Sequence, residues 1–154
     1  MEIKNSSAVG DVIATGNNVG GLVGRVSSTS AVKIIESFHS SGDVSSSGGD
    51  NVGGLIGLME NTGAYEIAHN FSSADSVGAS GANVHGFIGS DSASSASVLE
   101  NYWDLSKAAG TDSATEYEGL STAQMRDIIN FTGWDNVNTW HFTGDQYPSL
   151  IRLP

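Results

Sequence analysis

The sequence predicts an all-β fold: a right-handed parallel β-helix, three-sided and about three coils long, with a C-terminal cap that contains a short α-helix. Three observations predict it. A motif recurs about every 33 residues, which is typical of solenoids. Each repeat holds short β-branched and apolar segments between clusters of Gly, Ser, Asn and Asp, which supply turns and positive-φ positions. Large aromatic residues concentrate after the last repeat.

The repeat is clearest in a seven-residue block that reads NVGGLVG at 18–24, NVGGLIG at 51–57 and NVHGFIG at 83–89. The spacings are 33 and 32 residues. A second block keeps this period as Gly-Asp-Val at 10–12 and 42–44 and as Asp-Ser-Val at 75–77. Two blocks with one period make a chance match improbable, so the sequence contains a true internal repeat.

A strand-like block opens each repeat, at residues 3–5, 35–37, 68–70 and 99–101. The position after this block reads Ser6, Phe38, Phe71 and Tyr102. Each repeat therefore has three strand-like segments, which predicts a three-sided coil. The predicted repeats are 2–36, 35–69 and 68–104, and residues 105–154 form a capping segment.

Equivalent residues of stacked coils form columns, because a single coil cannot bury its own apolar side chains. One such column contains Val23, Ile56 and Ile88, and the adjacent column contains Leu22, Leu55 and Phe87. Strand alternation predicts that these columns lie on opposite faces, and which of them fills the interior is left open.

The capping segment carries helix signals. Ser121 and Gln124 have the spacing of a capping box, and Gly133 ends the segment. The predicted apolar face of the helix consists of Met125, Ile128 and Ile129. The aromatic tail beyond it is expected to cover the open final coil, since an exposed coil presents unpaired strand edges. This tail contains Trp134, Trp140, Phe142, Tyr147 and Leu150.

The amino-terminal end is already in the repeat at Ile3, with no cap before it. We therefore expect further repeats upstream in the parent chain. We also expect the isolated 154-residue chain to associate through its first coil.

The Asn-Val-Gly-Gly-Leu-Val-Gly block, preceded by Gly-Asp-Val, resembles the GLUG repeat family of bacterial adhesins, filamentous-haemagglutinin-like proteins and some large IgA-specific metallopeptidases. The resemblance covers residues 2–104, and the third copy departs from it at His85 and Phe87. The tail is similar to the end of such arrays, with Trp103-Asp104, a Leu-Ser-Thr-Ala-Gln-Met segment and Tyr-Pro-Ser-Leu. The resemblance implies an extracellular or bacterial cell-surface protein with a role in cell adhesion.

Candidate chemistry is sparse. Asp11, Asp43 and Asp75 recur once per repeat, and a carboxylate pair could support glycoside chemistry, but the turn preference of aspartate favours a structural role. The histidines, His39, His69, His85 and His141, show no metal-ligand spacing, so no metal site is predicted. No cofactor is predicted either. Calcium stays an alternative, because Asp11, Asp43 and Asp50 supply oxygen ligands at turns.

The formal net charge of −11 argues against nucleic acid as a partner, and no segment is long and apolar enough to insert into a membrane. The sequence predicts a non-catalytic module of a secreted or surface bacterial protein, for adhesion or as a stalk. The alternative is an accessory spacer of a large secreted enzyme, either IgA-peptidase-like or polysaccharide-degrading. Expected partners are a host or matrix glycan or protein and neighbouring repeats. No binding site is fixed, but the columns expected to be exposed contain Ser37, His39, Asn70 and Ser72.

Overall fold

Short parallel strands stack along the chain in the computed structural model, which describes residues 1–60, 63–92, 96–108 and 117–151. The first coil contains β1 (Glu2–Lys4), β2 (Ser7–Val9), β3 (Val12–Ala14), β4 (Val19–Gly20) and β5 (Val23–Val26). The second contains β6 (Val32–Ile35), β7 (Phe38–Ser40), β8 (Asp43–Ser46), β9 (Val52–Gly53) and β10 (Ile56–Met59). The third contains β11 (Tyr65–Ala68), β12 (Phe71–Ser73), β13 (Ser76–Ala79), β14 (Val84–His85) and β15 (Ile88–Asp91).

A partial fourth coil and a cap follow. They contain β16 (Ala96–Leu99), β17 (Asn101–Asp104) and β18 (Tyr117–Leu120), then 3₁₀ turns at Gln124–Arg126 and Ile128–Asn130, then β19 (Trp140–His141) and β20 (Ser149–Leu150). Strands β19 and β20 form an antiparallel pair, whereas all other strand pairs of the described chain are parallel. The predicted parallel β-solenoid of about three coils is confirmed.

Equivalent strands of successive coils pair in five ladders: β1-β6-β11-β16, β2-β7-β12-β17-β18, β3-β8-β13, β4-β9-β14 and β5-β10-β15. The prediction of three segments per repeat was therefore incomplete. Bends with positive φ divide the expected segments, as at Asn5 and Glu36 between the first two ladders. Asn18, Asn51 and Asn83 adopt positive φ at the bend before the fourth ladder. Asparagine tolerates this conformation, which explains its recurrence there.

The first coil is offset by one residue from the alignment predicted from the sequence. Ile3 pairs with Ile34 rather than Ile35, and Ser7, not Ser6, pairs with Phe38. The spacing between paired residues grows from 31 at Ile3 to 33 at Val19, because the turns of the two coils differ in length.

One buried cluster fills the interior. Leu55 and Ile56 are both fully buried in it, and so is Phe87. The prediction that the columns of Leu55 and Ile56 lie on opposite faces was wrong, because Leu55 sits in the bend before β10 and is not part of a strand. Alternation holds only within a strand.

The predicted capping box is present, since Ser121 Oγ accepts a hydrogen bond from the Gln124 amide and Gln124 Oε1 accepts one from the Ser121 amide. The prediction of an α-helix after this box was wrong. Asp127 is extended and its side chain caps the next turn by accepting from the Ile129 amide, so two 3₁₀ turns form. Met125 is buried, whereas Ile129 is 79% exposed, so the predicted apolar face of this helix does not form.

The aromatic tail covers the side of the solenoid rather than its end. Phe38, Phe71 and Tyr102 follow one another in register and point outward, and the tail packs on all three. Strand β18 pairs with β17, and its Tyr117 joins the interior cluster against Phe87, with ring centroids 5.0 Å apart. The expected covering of the final coil is thus supplied in part by β18, which precedes the tail.

Candidate binding surface

The four residues expected on exposed columns are buried. Ser37, His39 and Asn70 have no exposed surface, and Ser72 is 1% exposed. The prediction was wrong because Phe38 and Phe71 point outward under the tail, so that alternation within β7 and β12 turns His39 and Ser72 inward. Ser37 and Asn70 precede these strands, and their side chains bond to the carbonyls of Ile35 and Ile34. None of the four can contact a ligand, and the candidate surface has to be sought elsewhere.

Ser37 and Asn70 belong to a hydrogen-bonded ladder that joins three coils. The Asn70 side-chain amide donates to the Ile34 carbonyl at 2.8 Å and to Asn101 Oδ1 at 2.9 Å, while Asn70 Oδ1 accepts from the Ser37 amide at 2.9 Å. Asn101 repeats the pattern by donating to the Ile67 carbonyl at 2.9 Å. These bonds satisfy buried backbone groups at a bend, so the ladder is structural.

His39, Ser72 and Trp103 form an interior column that faces a column of glycines. His39 Nε2 donates to the Gly10 carbonyl at 3.0 Å, whereas His39 Nδ1, Ser72 Oγ and Trp103 Nε1 have no hydrogen-bond partner among the described residues. Burial lowers the pKa of His39, although the Gly10 carbonyl and the charge of Asp75 act in the opposite direction. His39 therefore lies in the interior as a neutral ring at neutral pH.

The repeated aspartates bind the amides of neighbouring coils. Asp11 Oδ1 accepts from the Asp43 amide at 2.9 Å, and Asp75 Oδ2 accepts from the Gly42 amide at 2.8 Å. Hydrogen bonds from the Lys107 ammonium and the Gly42 amide hold the pKa of Asp75 below its usual value. Asp75 is therefore ionised at neutral pH, and Asp11 and Asp75 both accept hydrogen bonds from backbone amides at the start of β8 and the bend before it.

The remaining histidines lie apart. His39 and His69 do not meet, because His39 pairs with Ser72 and His69 sits in the bend after β11, with its Nε2 atom 3.8 Å from Glu100. His85 lies in β14 and His141 in β19. Within the described ranges, no group of three or more His, Asp or Glu side chains is placed to hold a metal ion.

Four of the five described Lys and Arg side chains form ion pairs that link neighbouring coils or the cap to the third coil. The pairs are Lys4–Glu36, Arg25–Glu60, Lys33–Glu66 and Lys107–Asp75. Arg126 is the fifth, and it has no carboxylate partner in the described part of the chain. Its Nε atom is buried and has no hydrogen-bond partner there. Its guanidinium carbon lies 5.4 Å from the centre of the Tyr147 ring.

Arg126 lines a groove of about 440 Å³ between the first two coils and the tail. The groove exists because Ser7 is in register with Phe38, Phe71 and Tyr102, so the first coil lacks the aromatic ring of this column. Its walls combine apolar and polar side chains: Ser7, Val9, Phe38, Ser40, Arg126, Asp145, Gln146, Tyr147, Pro148 and Ser149. A mixed lining with a few charged and polar groups is typical of small-ligand sites.

Tyr147 lines this groove and is held in place by its neighbours. Its hydroxyl donates to Asp104 Oδ2 at 2.6 Å, and Lys107 Nζ lies 5.1 Å from the ring centre. Burial and the hydrogen bond to Asp104 raise the pKa of Tyr147, so the hydroxyl stays protonated and holds the ring in place. Arg126 therefore rests on a positioned aromatic face.

Sequence reasoning did not find Arg126. Two signals were available: the tail contains few cations in a strongly acidic chain, and serine breaks the aromatic column in the first repeat. Neither signal indicates a site without the fold, because only the packing of the tail against the solenoid brings Ser7 and Arg126 together.

Comparisons of the chain with protein-family models, with curated proteins and with solved structures gave no match. No described helix has the length and hydropathy needed to cross a membrane.

Proposed function

We propose that this chain is a non-catalytic β-solenoid module of a secreted or cell-surface bacterial protein, acting in adhesion or as a structural stalk. The observation that carries the proposal is the stack of parallel coils, which presents an extended side surface without needing an enclosed active site. The resemblance of the 18–24 and 51–57 blocks to GLUG repeats of bacterial adhesins supports the same role.

The side chains that could act as an acid or a base also support a non-catalytic role. Asp11 and Asp75 bind backbone amides, and His39 is buried without access to a substrate. A hydrolase needs an acid and a base at an accessible site. The recurring polar residues hold the coils together instead.

The proposed location is tested on intact cells of the bacterium that produces the protein. An antibody raised against this 154-residue chain should label the cell surface or the culture medium, and brief protease treatment of intact cells should remove the signal. Signal that survives protease treatment and appears only after cell lysis would contradict the proposed location.

The adhesive role is tested by deleting the module from its parent gene. Deletion should reduce attachment of the cells to glycan- or matrix-coated surfaces and leave secreted hydrolytic activities unchanged. Loss of a peptidase or polysaccharide-degrading activity with unchanged attachment would instead support the spacer alternative.

A further inference from the structure

We infer that the groove beside Arg126 is a binding site for an acidic sugar, a uronic acid unit of a glycan whose carboxylate contacts the guanidinium. The inference deepens the proposed adhesive function by giving it a ligand class and a place. It depends on three features of the groove: an unpaired cation, an apolar floor and a set of hydroxyl partners.

The charge of Arg126 selects the carboxylate. In a chain with a formal net charge of −11, every other described Lys or Arg side chain is paired with a carboxylate of the chain. Arg126 has no such partner among the acidic residues of the described ranges. A guanidinium next to an aromatic ring binds a planar carboxylate through two parallel hydrogen bonds. The Tyr147 ring, 5.4 Å away, fixes the orientation of the guanidinium.

The floor of the groove selects a ring-shaped ligand. Phe38 stacks on Phe71 with ring centroids 4.7 Å apart and ring planes within 5°. The next position of this column is Ser7, which leaves space where the second and third coils carry a ring. Val9, 69% exposed, and Pro148 add apolar surface beside it. A pyranose ring has an apolar face that suits such a surface.

The remaining walls select a sugar over a simple anion. Ser40, Gln146 and Asp145 line the groove and offer hydrogen-bond acceptors to hydroxyl groups. A polyglutamate segment has no hydroxyl groups to donate to these acceptors. One carboxylate and several hydroxyls on one ring describe a uronic acid.

The test is a titration of the 154-residue protein with trigalacturonate, followed by calorimetry or by amide chemical shifts. The methyl-esterified trisaccharide, which lacks the charge, and a triglutamate peptide are titrated in parallel. We expect trigalacturonate to bind and to shift amides around Arg126 and Ser7, and the ester and the peptide to bind at least about tenfold more weakly, because charge-assisted hydrogen bonds are lost or the hydroxyls are missing.

Two variants locate the site. Arg126→Gln should weaken trigalacturonate binding at least about tenfold. Ser7→Phe should weaken it similarly by filling the groove with the missing ring of the column. Arg25→Gln is the matched control, since Arg25 pairs with Glu60 on another ladder, and binding should be unchanged. Melting temperatures close to that of the wild type show that each variant is folded.

The inference is overturned if wild-type protein does not bind trigalacturonate at millimolar concentration. It is also overturned if Arg126→Gln and Ser7→Phe both bind as the wild type does, or if triglutamate binds more tightly than the sugar. These failures are separate from a failure of the proposed function, because surface location and attachment are measured on cells and do not depend on this ligand.

Discussion

In the interior of the solenoid, a glycine of each coil faces a residue with a larger side chain. Gly21, Gly54 and Gly86 face His39, Ser72 and Trp103 in three successive coils. A β-carbon on Gly86 would overlap the indole ring of Trp103, and one on Gly54 would overlap the Ser72 hydroxyl. The glycine at the fourth position of each repeated block is thus needed because a β-carbon there would overlap the facing side chain and, at Gly21 and Gly54, also a backbone carbonyl of the next coil.

Replacing Gly86 tests this packing. Gly86→Ala should destabilise the protein by about 1–3 kcal/mol, since the indole has to move within a packed core. Gly78→Ala is the control in the same coil, because nothing lies within 4 Å of its added carbon, and it should be neutral or slightly stabilising. Urea unfolding of both variants gives the comparison, and equal midpoints would contradict the packing argument.

Burial of His39 makes stability depend on pH. Its folded-state pKa lies below 6.5, so the unfolded chain takes up the proton first when the pH falls. The contribution of His39 to the free energy of unfolding is therefore complete above pH 6.5. It decreases as the pH falls from 6.5 towards the folded-state pKa. Asp75 contributes a loss only at more acidic pH, because its folded-state pKa lies below 3.8. Urea unfolding between pH 7.5 and 5 should show the decrease in the wild type.

His39→Leu removes this titration and should give a flatter profile over the same pH range. An unchanged profile in the variant would assign the decrease to other groups. The charge of Asp75 and the Gly10 carbonyl favour protonation of His39 and limit the size of the effect.

The sequence predicted which residues recur but not which way they face. The spacing between Phe38 and Phe71 correctly places them in one column. Whether that column fills the interior or lies outside depends on the tail, which packs from a distant part of the chain. For that reason His39 and Ser72 were expected to be exposed and are buried.

The tail is an element with a core of its own. Trp140 is fully buried between Phe38, Phe71 and Trp134, with ring centroids 4.4–5.9 Å apart. The short 3₁₀ turns contribute little to this core apart from Met125. Side-chain packing on the solenoid therefore holds the tail, rather than helix formation.

Trp140→Ala should cost about 3–5 kcal/mol and loosen the tail first. Hydrogen exchange should show lost protection in residues 124–151, while the interior strands of the second coil stay protected. Val137→Ala, at a side chain that is 75% exposed, is the control and should change stability by less than about 0.5 kcal/mol. Uniform loss of protection along the whole chain would instead show that tail and solenoid unfold as one unit.

At the element level, the capping box was predictable because its two residues lie close to each other in the sequence. The helix was not, because Asp127 can either continue a helix or cap the next turn. Its side chain bonds to the Ile129 amide, and this local bond ends the first turn after three residues. The site beside Arg126 needs contacts between residues more than 100 positions apart, which no local pattern predicts.

At the scale of the whole molecule, the first coil presents a row of strand edges that have no partner strand among the described residues. Within the described chain, strands β1 to β5 each pair on one side only. Ile13, in β3, is 75% exposed beside these edges. Open edges of parallel strands are templates for pairing with another chain.

The isolated protein should therefore associate as its concentration rises. Light scattering should show a mass above 15.9 kDa at high concentration, and Ile13→Lys should reduce it, because a charge at the edge opposes pairing. Ile129→Lys is the control, since Ile129 is 79% exposed in a 3₁₀ turn of the cap and belongs to no strand. A monomer at all concentrations would contradict the prediction.

The column of Phe38, Phe71 and Tyr102 also has a mechanical consequence. Hydrogen bonds between coils run along the solenoid axis, so a pull along that axis would separate the coils one after another. The tail lies across three coils and is anchored to each of them by one of these rings. The tail therefore cross-links these coils. When the molecule is stretched, the tail has to detach before the second, third and fourth coils can separate.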